Sequence, residues 1–465
     1  HRPGTPTRER RLPPGRPPHT PPRNRGRTEA VIPRRPSIVI AGLLAAAGVI
    51  VAFFPAGATA WLYAAATVLL VAVFDAVLCW LIKAPAVERR APGSMSLMTW
   101  TDIELTIRNA RRSGSMLLEV FDHHPQTFET RGLPQTIRVP AGRFVDMRYD
   151  VQPLERGSVE FAGCDLRIAS PLRLWWRRRF VDIVSQTRVY PNYSAISKLL
   201  AYEVDNRLQL SGVRLSRRRG EGIEFHQLRD YREGDSMRAI DWKATARMSR
   251  LISREYQDER DQQVIFVLDT GRRMLAKDGA LSHFDHTLNA MLLLSFVALR
   301  QGDAAGLMTT GAERTWFAPR KGADTINGLL NHVYDVQPEP VEIDYIAAAT
   351  DLAVRQRRRS LVVILTNVRE EDSEDLRIAT DLLQRRHLVI LASLRERALD
   401  DSIDHDIHGF DDALLFASTN RYLDSRQESH KLLRAKGVYV EDCLSDELPA
   451  AITNRYLAIK RAGIL

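Results

Sequence analysis

The chain has 465 residues, of which 45% are hydrophobic and 26% charged, a composition typical of folded protein. This length allows two or three domains. The formal net charge is +9, but residues 1–36 hold ten Arg and two Glu, so the rest of the chain is nearly neutral. The body therefore lacks the single-sign electrostatic field expected of a nucleic-acid enzyme.

Residues 1–36 are rich in Pro and Arg and poor in large apolar residues, which predicts a disordered basic tail. Two apolar runs follow, 37–54 and 58–82, each long enough to cross a bilayer. We therefore predict a transmembrane helical hairpin over 37–83. Basic residues flank both outer ends and the turn is uncharged, which places both termini of this two-helix membrane protein in the cytoplasm.

Asp75 is an acidic residue inside the second apolar run. A carboxylate within a span costs a few kcal/mol, so we expect it to face the first helix, a second copy of the chain or the membrane interface. Its role is expected to be structural or oligomer-forming, because no other ionisable residue accompanies it to form a proton relay.

The three cysteines, Cys79, Cys164 and Cys443, are far apart in the sequence and form no C-x-x-C pair. This spacing argues against a structural zinc site and against a disulfide scaffold. We expect three buried free thiols.

Residues 96–191 alternate apolar and polar side chains in short runs between turn signals, which predicts an antiparallel β-sandwich. The aromatic and basic run 174–180 is expected to be a closing strand rather than a nucleic-acid platform. The other predicted strands are 102–110, 116–122, 135–140, 143–152 and 157–163.

Residues 262–465 alternate continuous apolar strands with amphipathic helices, which predicts a doubly wound α/β domain. The polar residues that end its strands, Asp269, Thr309 and Asn367, are expected at the working edge of the sheet. The predicted strands are 263–270, 304–310, 360–367 and 387–393, and the predicted helices are 284–302, 325–336, 343–357, 374–386 and 419–436.

Between these domains, residues 192–261 form a junction that contains the charge-rich stretch 224–247. A catalytic interpretation would use His226 as a base with Asp235 or Asp241, and Arg229 or Arg232 for an oxyanion. The chain offers no nucleophile elbow, metal-ligand His spacing or Walker lysine loop to complete it. A nucleic-acid interpretation is weakened because acidic residues interleave with the basic and aromatic ones, which are Arg229, Arg232, Arg238, Lys243, Tyr231 and Trp242.

A structural and docking element is the favoured interpretation of this stretch. Residues 234–236 suit a turn before a short helix in which Ile240, Trp242 and Ala246 would face the core. Arg229 and Arg238 are expected to pair with Asp235 and Asp241 and so to hold the domain junction. The residues predicted to form the docking motif are Arg229, Tyr231, Gly234, Asp235, Ile240 and Trp242.

The segment "EGIEFHQLRDYREGDSMRAIDWKATARMSRLISREYQDER" resembles the signature of the domain-of-unknown-function family fifty-eight. The order of hairpin, sandwich, signature and α/β domain is similar to that of the family over nearly all of 37–465. The resemblance implies a von Willebrand factor A-like α/β domain. It also implies a MoxR-type AAA+ ATPase as partner in assembling or maturing other proteins at the bacterial inner membrane.

Von Willebrand factor A domains bind a divalent ion through an Asp-x-Ser-x-Ser sequence and a later Asp. Here Asp269 matches, but Gly271 and Arg273 stand in place of the serines, and Asn367 stands in place of the later Asp. Because hard cations need charged and oxygen-donating ligands, we expect a degenerate site without a metal cofactor, with Mg²⁺ at Asp269 as the alternative. Asp269 is expected to pair instead with Arg272 or Arg273.

The sequence thus predicts a non-enzymatic, membrane-anchored, cytoplasm-facing adaptor or scaffold that binds a protein partner, with a homo-oligomer through the hairpin as a further option. A divalent-metal-dependent protein-ligand receptor is the first alternative, and an uncharacterised hydrolase is the second.

Overall fold

The structure is a computed structural model that describes residues 30–54, 57–111, 113–192, 224–232, 237–257, 262–311 and 314–464. Two helices come first, α1 (Arg35–Ala52) and α2 (Ala58–Leu81), and both are long and apolar enough to cross a membrane. They pack against each other at Gly48, where an added Cβ would lie 2.7 Å from the Trp61 ring. The indole Nε1 of Trp61 also donates to the carbonyl oxygen of Leu44 at 3.3 Å.

The β-sandwich is built from three sheets that share one hydrophobic core. Alternate residues of each strand point inward, as Ile103, Leu105 and Ile107 do in β4. Its strands are β1 (Ala30–Pro33), β2 (Ala86–Arg90), β3 (Ser94–Ser96), β4 (Thr101–Arg108), β5 (Met116–His123), β6 (Phe128–Arg131), β7 (Gln135–Val139), β8 (Phe144–Pro153), β9 (Gly157–Phe161), β10 (Gly163–Ala169), β11 (Trp175–Val181) and β12 (Ser185–Tyr190). The sheet orders are β1-β11-β10-β5-β7, β2-β4-β8-β6 and β3-β12-β9.

The position of β11 corrects two expectations. It pairs with β10 on one side and with β1 on the other, so it is an inner strand rather than a closing one. Residues 30–33, which composition assigned to the disordered tail, form β1 and cover that edge. Their "AVIP" sequence is apolar, unlike the rest of the tail. Pairing with β11 satisfies the backbone hydrogen-bonding groups of this segment, and the overall composition of the tail does not predict that pairing.

A small two-stranded module, called the signature module below, follows the sandwich. It consists of β13 (Glu224–Asp230), a 3₁₀ turn at Met237–Ala239, α3 (Trp242–Met248) and β14 (Ile252–Gln257). The two strands pair antiparallel, and an isolated bridge joins Ile240 to Ser253.

The C-terminal domain is a six-stranded sheet with helices on both faces. Every pair of neighbouring strands is parallel except the edge pair of β18 and β19. Its large elements are β15 (Gln263–Leu268), α4 (His283–Arg300), β18 (Ala304–Thr309), β19 (Trp316–Arg320), α5 (Asp324–Val333), α6 (Tyr345–Arg355), β20 (Leu361–Thr366), α7 (Ser373–Gln384), β21 (Leu388–Arg395), α8 (Arg397–Asp404), α9 (Phe410–Ala435), β22 (Tyr439–Leu444) and α10 (Leu448–Arg461), and a short ribbon pairs β16 (Lys277–Asp278) with β17 (Leu281–Ser282). The sheet order is β19-β18-β15-β20-β21-β22.

The two faces of this sheet bury separate cores. Phe266 and Leu268 of β15 point into one core and Ile265 and Val267 into the other, as expected for strands covered on both faces. Helix α9 begins at Phe410, nine residues before the predicted start at 419. Asp411 and Asp412 lie in its first turn, where carboxylates favour the helix N-terminus.

Arg156 of the sandwich holds the sandwich against the α/β domain. Its side chain is buried, forms an ion pair with Asp285 and donates to the carbonyl oxygens of Val333 and Val336, both at 3.1 Å. The hydroxyl of Tyr190 adds a hydrogen bond of 2.7 Å to Asn331. The sequence predicts this joining role for the signature motif and does not mark Arg156, and much of the junction 192–261 lies outside the described residues.

Candidate functional site

The signature module has a small buried centre of its own. Ile240 and Ile252 are buried, as was predicted for Ile240, and neither belongs to the cores of the sandwich or the α/β domain. The amide of Tyr231 donates to the carbonyl oxygen of Leu251 at 3.0 Å, which continues the pairing of β13 with β14.

Asp241 caps the short helix α3. One of its carboxylate oxygens accepts from the amide of Ala244 at 2.9 Å, and the other accepts from Nε of Arg254 at 2.9 Å. The Ala244 amide and then the Arg254 guanidinium hold the pKa of the Asp241 carboxyl below its usual range. The cap fixes the start of α3 and with it the position of the next residue, Trp242.

Trp242 points away from the module, and 65% of its side chain is exposed. The expectation that Trp242 and Ala246 face a core is therefore wrong, since Ala246 is exposed too. A helix of two turns has room to bury only a narrow stripe, and here Ile240 from the preceding turn occupies the centre. The large apolar side chains that the module exposes are Leu228, Met237, Trp242, Met248 and Leu251.

The described part of the module shows two ion pairs that were not predicted. Asp241 pairs with Arg254 of β14, and Asp230 pairs with Arg250 at 3.1 Å. The Arg229 guanidinium donates to the carbonyl oxygen of Asp230 at 3.1 Å. Gly234, Asp235 and the side chains of His226 and Arg238 lie outside the described residues, and so does the catalytic interpretation that uses them.

The second candidate region is the carboxyl edge of the α/β sheet, around Asp269. This carboxylate is only 2% exposed and accepts from the amide of Gly271 at 2.7 Å, the Tyr345 hydroxyl at 3.0 Å and the Thr366 hydroxyl at 2.6 Å. Burial raises the pKa of the Asp269 carboxyl, and the three hydrogen bonds oppose that rise. Asp269 therefore bonds to neutral donors.

Arg272 and Arg273 pair with acids other than Asp269, which corrects the pairing expected from the sequence. Arg273 forms ion pairs with Glu371 and Asp372, and Arg272 lies 3.2 Å from Glu342. These residues line a cavity of about 240 Å³ beside Asp269. Thr309 ends β18 beside Leu268 of β15, at this edge as predicted, and its hydroxyl bonds to Thr315 in the β18–β19 turn.

Gly271 has no space for a side chain. An added Cβ would lie 2.7 Å from Cγ1 of Ile343 and 2.9 Å from the carbonyl oxygen of Val341. The chain around Val341 crosses over this edge and is tied to it, because the amide of Arg272 donates to the Val341 oxygen at 2.9 Å. A serine ligand could not occupy position 271 without displacing this crossing segment.

Asn367 is held by Arg426, a residue of α9 that sequence reasoning missed. The Asn367 oxygen accepts from Nη1 of Arg426 at 2.9 Å, and its amide nitrogen donates to Glu396 at 2.6 Å. Arg426, only 1% exposed, also bonds to the Val368 and Leu394 carbonyl oxygens and pairs with Asp442. The sequence shows an arginine within a predicted helix at this position, but it does not show which groups the guanidinium contacts.

The residues at this edge do not fit a divalent cation. Asp269 is already satisfied by three donors, position 271 has no room for a hydroxyl, and the oxygen of Asn367 faces a guanidinium. A hard cation needs several free oxygen ligands at this point. Among the described residues, no group of three or more His, Cys, Asp or Glu side chains is placed to hold a metal ion.

Similar proteins are themselves named as uncharacterised. "Uncharacterized protein YeaD" of Bacillus subtilis is 24% identical over 266 residues, which cover 56% of this chain and 62% of that protein. "Uncharacterized protein Rv1480" of Mycobacterium tuberculosis is 25% identical over 182 residues, covering 38% of this chain and 57% of its own length. The chain thus spans about three fifths of the length of these relatives.

Among solved structures, the conserved hypothetical protein BatB from Bacteroides thetaiotaomicron matches 43% of this chain and 99% of its own, with 15% identity and a TM-score of 0.27. The family resemblance was expected over nearly all of 37–465, and a match to the family is found over part of that range, which includes most of the signature. Residues 227–414, from β13 to the first turn of α9, match the family model described as "Protein of unknown function DUF58".

Proposed function

We propose that the chain is a membrane-anchored adaptor without catalytic activity of its own, which faces the cytoplasm and presents the signature module to a protein partner. The anchor would be the pair α1 and α2, whose flanking basic residues favour cytoplasmic ends.

The exposed side chain of Trp242 is the observation that carries this proposal. The indole is 65% exposed and stands at the first position of a helix whose N-terminus is fixed by the Asp241 cap. Tryptophan, tyrosine and arginine are the residues most enriched among those that dominate protein interfaces. Lys243 and Arg247 are exposed on the same helix and would add charge complementarity to an acidic partner.

The partner that the family resemblance implies is a MoxR-type AAA+ ATPase, and the adaptor would bring it to the membrane for the assembly or maturation of other proteins. In the same proposal the C-terminal domain is von Willebrand factor A-like. Its mostly parallel sheet, with helices on both faces, supports that assignment, as does the position of Asp269 directly after the first strand.

Co-purification of the tagged full chain from detergent-solubilised membranes tests the proposal. Wild type should retain the ATPase, and Trp242→Ala should lose it by roughly thirtyfold, the effect of a hot-spot residue worth about 2 kcal/mol. Leu432→Ala is the matched control, because Leu432 is 63% exposed but lies on α9, outside the module. Recovery of no ATPase with wild type, or equal recovery with Trp242→Ala, contradicts the proposal.

A further inference from the structure

The end of α2 is bonded to the tip of a turn in the sandwich. Asp75 is fully buried, and its two carboxylate oxygens accept from the backbone amides of Leu172 and Leu174 at 2.9 and 3.4 Å. The acid expected inside the span thus bonds to the β10–β11 turn of its own chain. The carbonyl oxygen of Leu174 in turn accepts from the amide of Arg34 and the hydroxyl of Ser37, where α1 begins.

Further contacts continue down the last turns of α2. The indole of Trp175 donates to the carbonyl oxygen of Ala72 at 2.8 Å. The buried guanidinium of Arg177 donates to the carbonyl oxygens of Trp80 and Ile82, which end the helix without intrahelical partners. The last turns of α2 are therefore bonded to the sandwich at several points, so the depth of α2 in a membrane would determine the depth of the β10–β11 turn.

The length of the hairpin gives that depth. Gly48 lies beside Trp61, so the start of α1 at Arg35 lies level with the region of Asp75 on α2. From Ala58 to Phe74 the helix rises by about 25 Å, close to the roughly 30 Å of a hydrocarbon core. In a hairpin that spans a bilayer, Asp75 and the turn that it binds would therefore lie near the boundary between hydrocarbon and headgroups.

The surface at this level has the composition of a membrane interface. Leu172, at the tip of the turn, is 54% exposed, and Ile32 of the neighbouring strand β1 is exposed as well. Trp80 is exposed on α2, and tryptophan is enriched at the headgroup level of membranes. Arg35 and Arg173 are exposed beside them.

Arg173 has a φ of +61°, in the left-handed region that a glycine adopts at lower cost. The turn is closed by the Arg173 amide, which donates to the carbonyl oxygen of Ser170 at 2.9 Å. A cationic side chain is therefore held at the tip of this turn despite the backbone cost. Arg34 stacks over the ring of Trp176 at 4.7 Å, which fixes a second guanidinium near the start of α1.

We propose that the β10–β11 turn and β1 form a lipid-contacting surface of the sandwich, with Leu172 inserted at the acyl boundary and Arg34, Arg35 and Arg173 on anionic phospholipid headgroups. This inference rests on the membrane span of the proposed function. It adds that the cytoplasmic domains stand on the membrane in one fixed orientation.

Spin labels on the full chain in nanodiscs of phosphatidylcholine with phosphatidylglycerol test it. The native cysteines are all buried, so a cysteine introduced on the surface is the site that a label reaches. We would label Leu172→Cys, Val184→Cys in the connection that follows the opposite end of β11, and Leu69→Cys within α2, where both control positions are exposed. Relaxation by oxygen reports lipid, and relaxation by a water-soluble nickel complex reports solvent.

Oxygen should relax the label at position 172 as strongly as it relaxes the label at position 69. The nickel complex should relax the label at position 172 several-fold less than it relaxes the label at position 184. Adding Arg173→Glu should move the label at 172 toward water in anionic nanodiscs but not in pure phosphatidylcholine. If the label at 172 is as exposed to solvent as the label at 184 while the label at 69 is in lipid, the lipid-contacting surface is overturned and the membrane anchor is not. Solvent at 69 overturns the membrane anchor itself. Ile32→Cys provides a second label on the same surface if Leu172→Cys does not fold.

Discussion

Nη1 of Arg426 donates to the side-chain oxygen of Asn367 at 2.9 Å, and this bond closes the carboxyl edge of the α/β sheet from the inside. The same guanidinium bonds to the end of β21 and pairs with Asp442 of β22. One arginine thus joins three strand ends that are far apart in the sequence.

Arg426→Ala should destabilise this edge by about 3–5 kcal/mol, because it leaves Asp442 and two carbonyl groups buried without their donor. Amides at the carboxyl ends of β20, β21 and β22 should then exchange hydrogen faster, as measured by mass spectrometry on the full chain in detergent. Arg377→Ala is the control, since Arg377 pairs with Glu374 on the surface and water screens that pair. Unchanged exchange in Arg426→Ala would show that the network is not structural.

Gly271→Ser should not create a cation site, because the new side chain collides with Ile343 and Val341. Overpacking of this kind costs about 1–3 kcal/mol. Wild type should show no saturable heat with Mg²⁺ or Mn²⁺ in calorimetric titration, and the variant should show none either. Saturable binding by wild type that Asp269→Ala abolishes would revive the metal-dependent receptor alternative.

His430 makes stability depend on pH. Burial, reinforced by Arg426 and Arg434 and opposed by Asp442, lowers the pKa of His430 from 6.5 to about 4. In the unfolded chain His430 takes up a proton near pH 6.5, whereas in the folded chain it does so only near pH 4. The free energy of unfolding therefore falls as the pH drops from about 6.5 to about 4. The loss is on the order of 3 kcal/mol for this group.

Urea unfolding of the full chain between pH 7 and pH 4 measures the effect. Burial also lowers the pKa values of His283, His332 and His387, so the decline should persist but become shallower in His430→Gln. An unchanged pH slope in that variant would contradict the assignment to His430.

Asp75→Ala should remove the two bonds that join the backbone of the β10–β11 turn to Asp75 of α2. The amides of Leu172 and Leu174 lose their acceptor, at a cost of about 1–3 kcal/mol, and should exchange faster with solvent. Asp75→Asn keeps one acceptor oxygen and should have an intermediate effect. Thr67→Ala, an exposed change in the same helix, should leave the exchange of both amides as in wild type.

Sequence patterns predicted the elements that repeat with a regular period, and they missed the contacts that join those elements. We could predict three elements from the sequence, because burial imposes a period on neighbouring residues: the apolar runs of the hairpin, the alternation in β4 and the buried strand β15. Arg156 and Gly271 contact residues that are distant in the sequence, and Arg426 bonds to Asn367, 59 residues away. Nothing local distinguishes these arginines from solvated ones.

In the signature module, too, some features could be predicted from the sequence and others could not. Ile240 was correctly predicted to be buried, and the short helix was predicted close to its position. The outward direction of Trp242 was not predicted, because a two-turn helix carries too few residues for its buried face to be read from periodicity.

Photo-crosslinking in the cell from a benzoyl-phenylalanine at position 246, an exposed site one helical turn after Trp242, tests partner docking by the signature module most directly. We expect one dominant adduct that contains the AAA+ ATPase, formed from position 246 and not from position 432, which is exposed on α9. An ATPase adduct formed equally from both positions, or none from position 246, would contradict the assignment of this module as the docking surface.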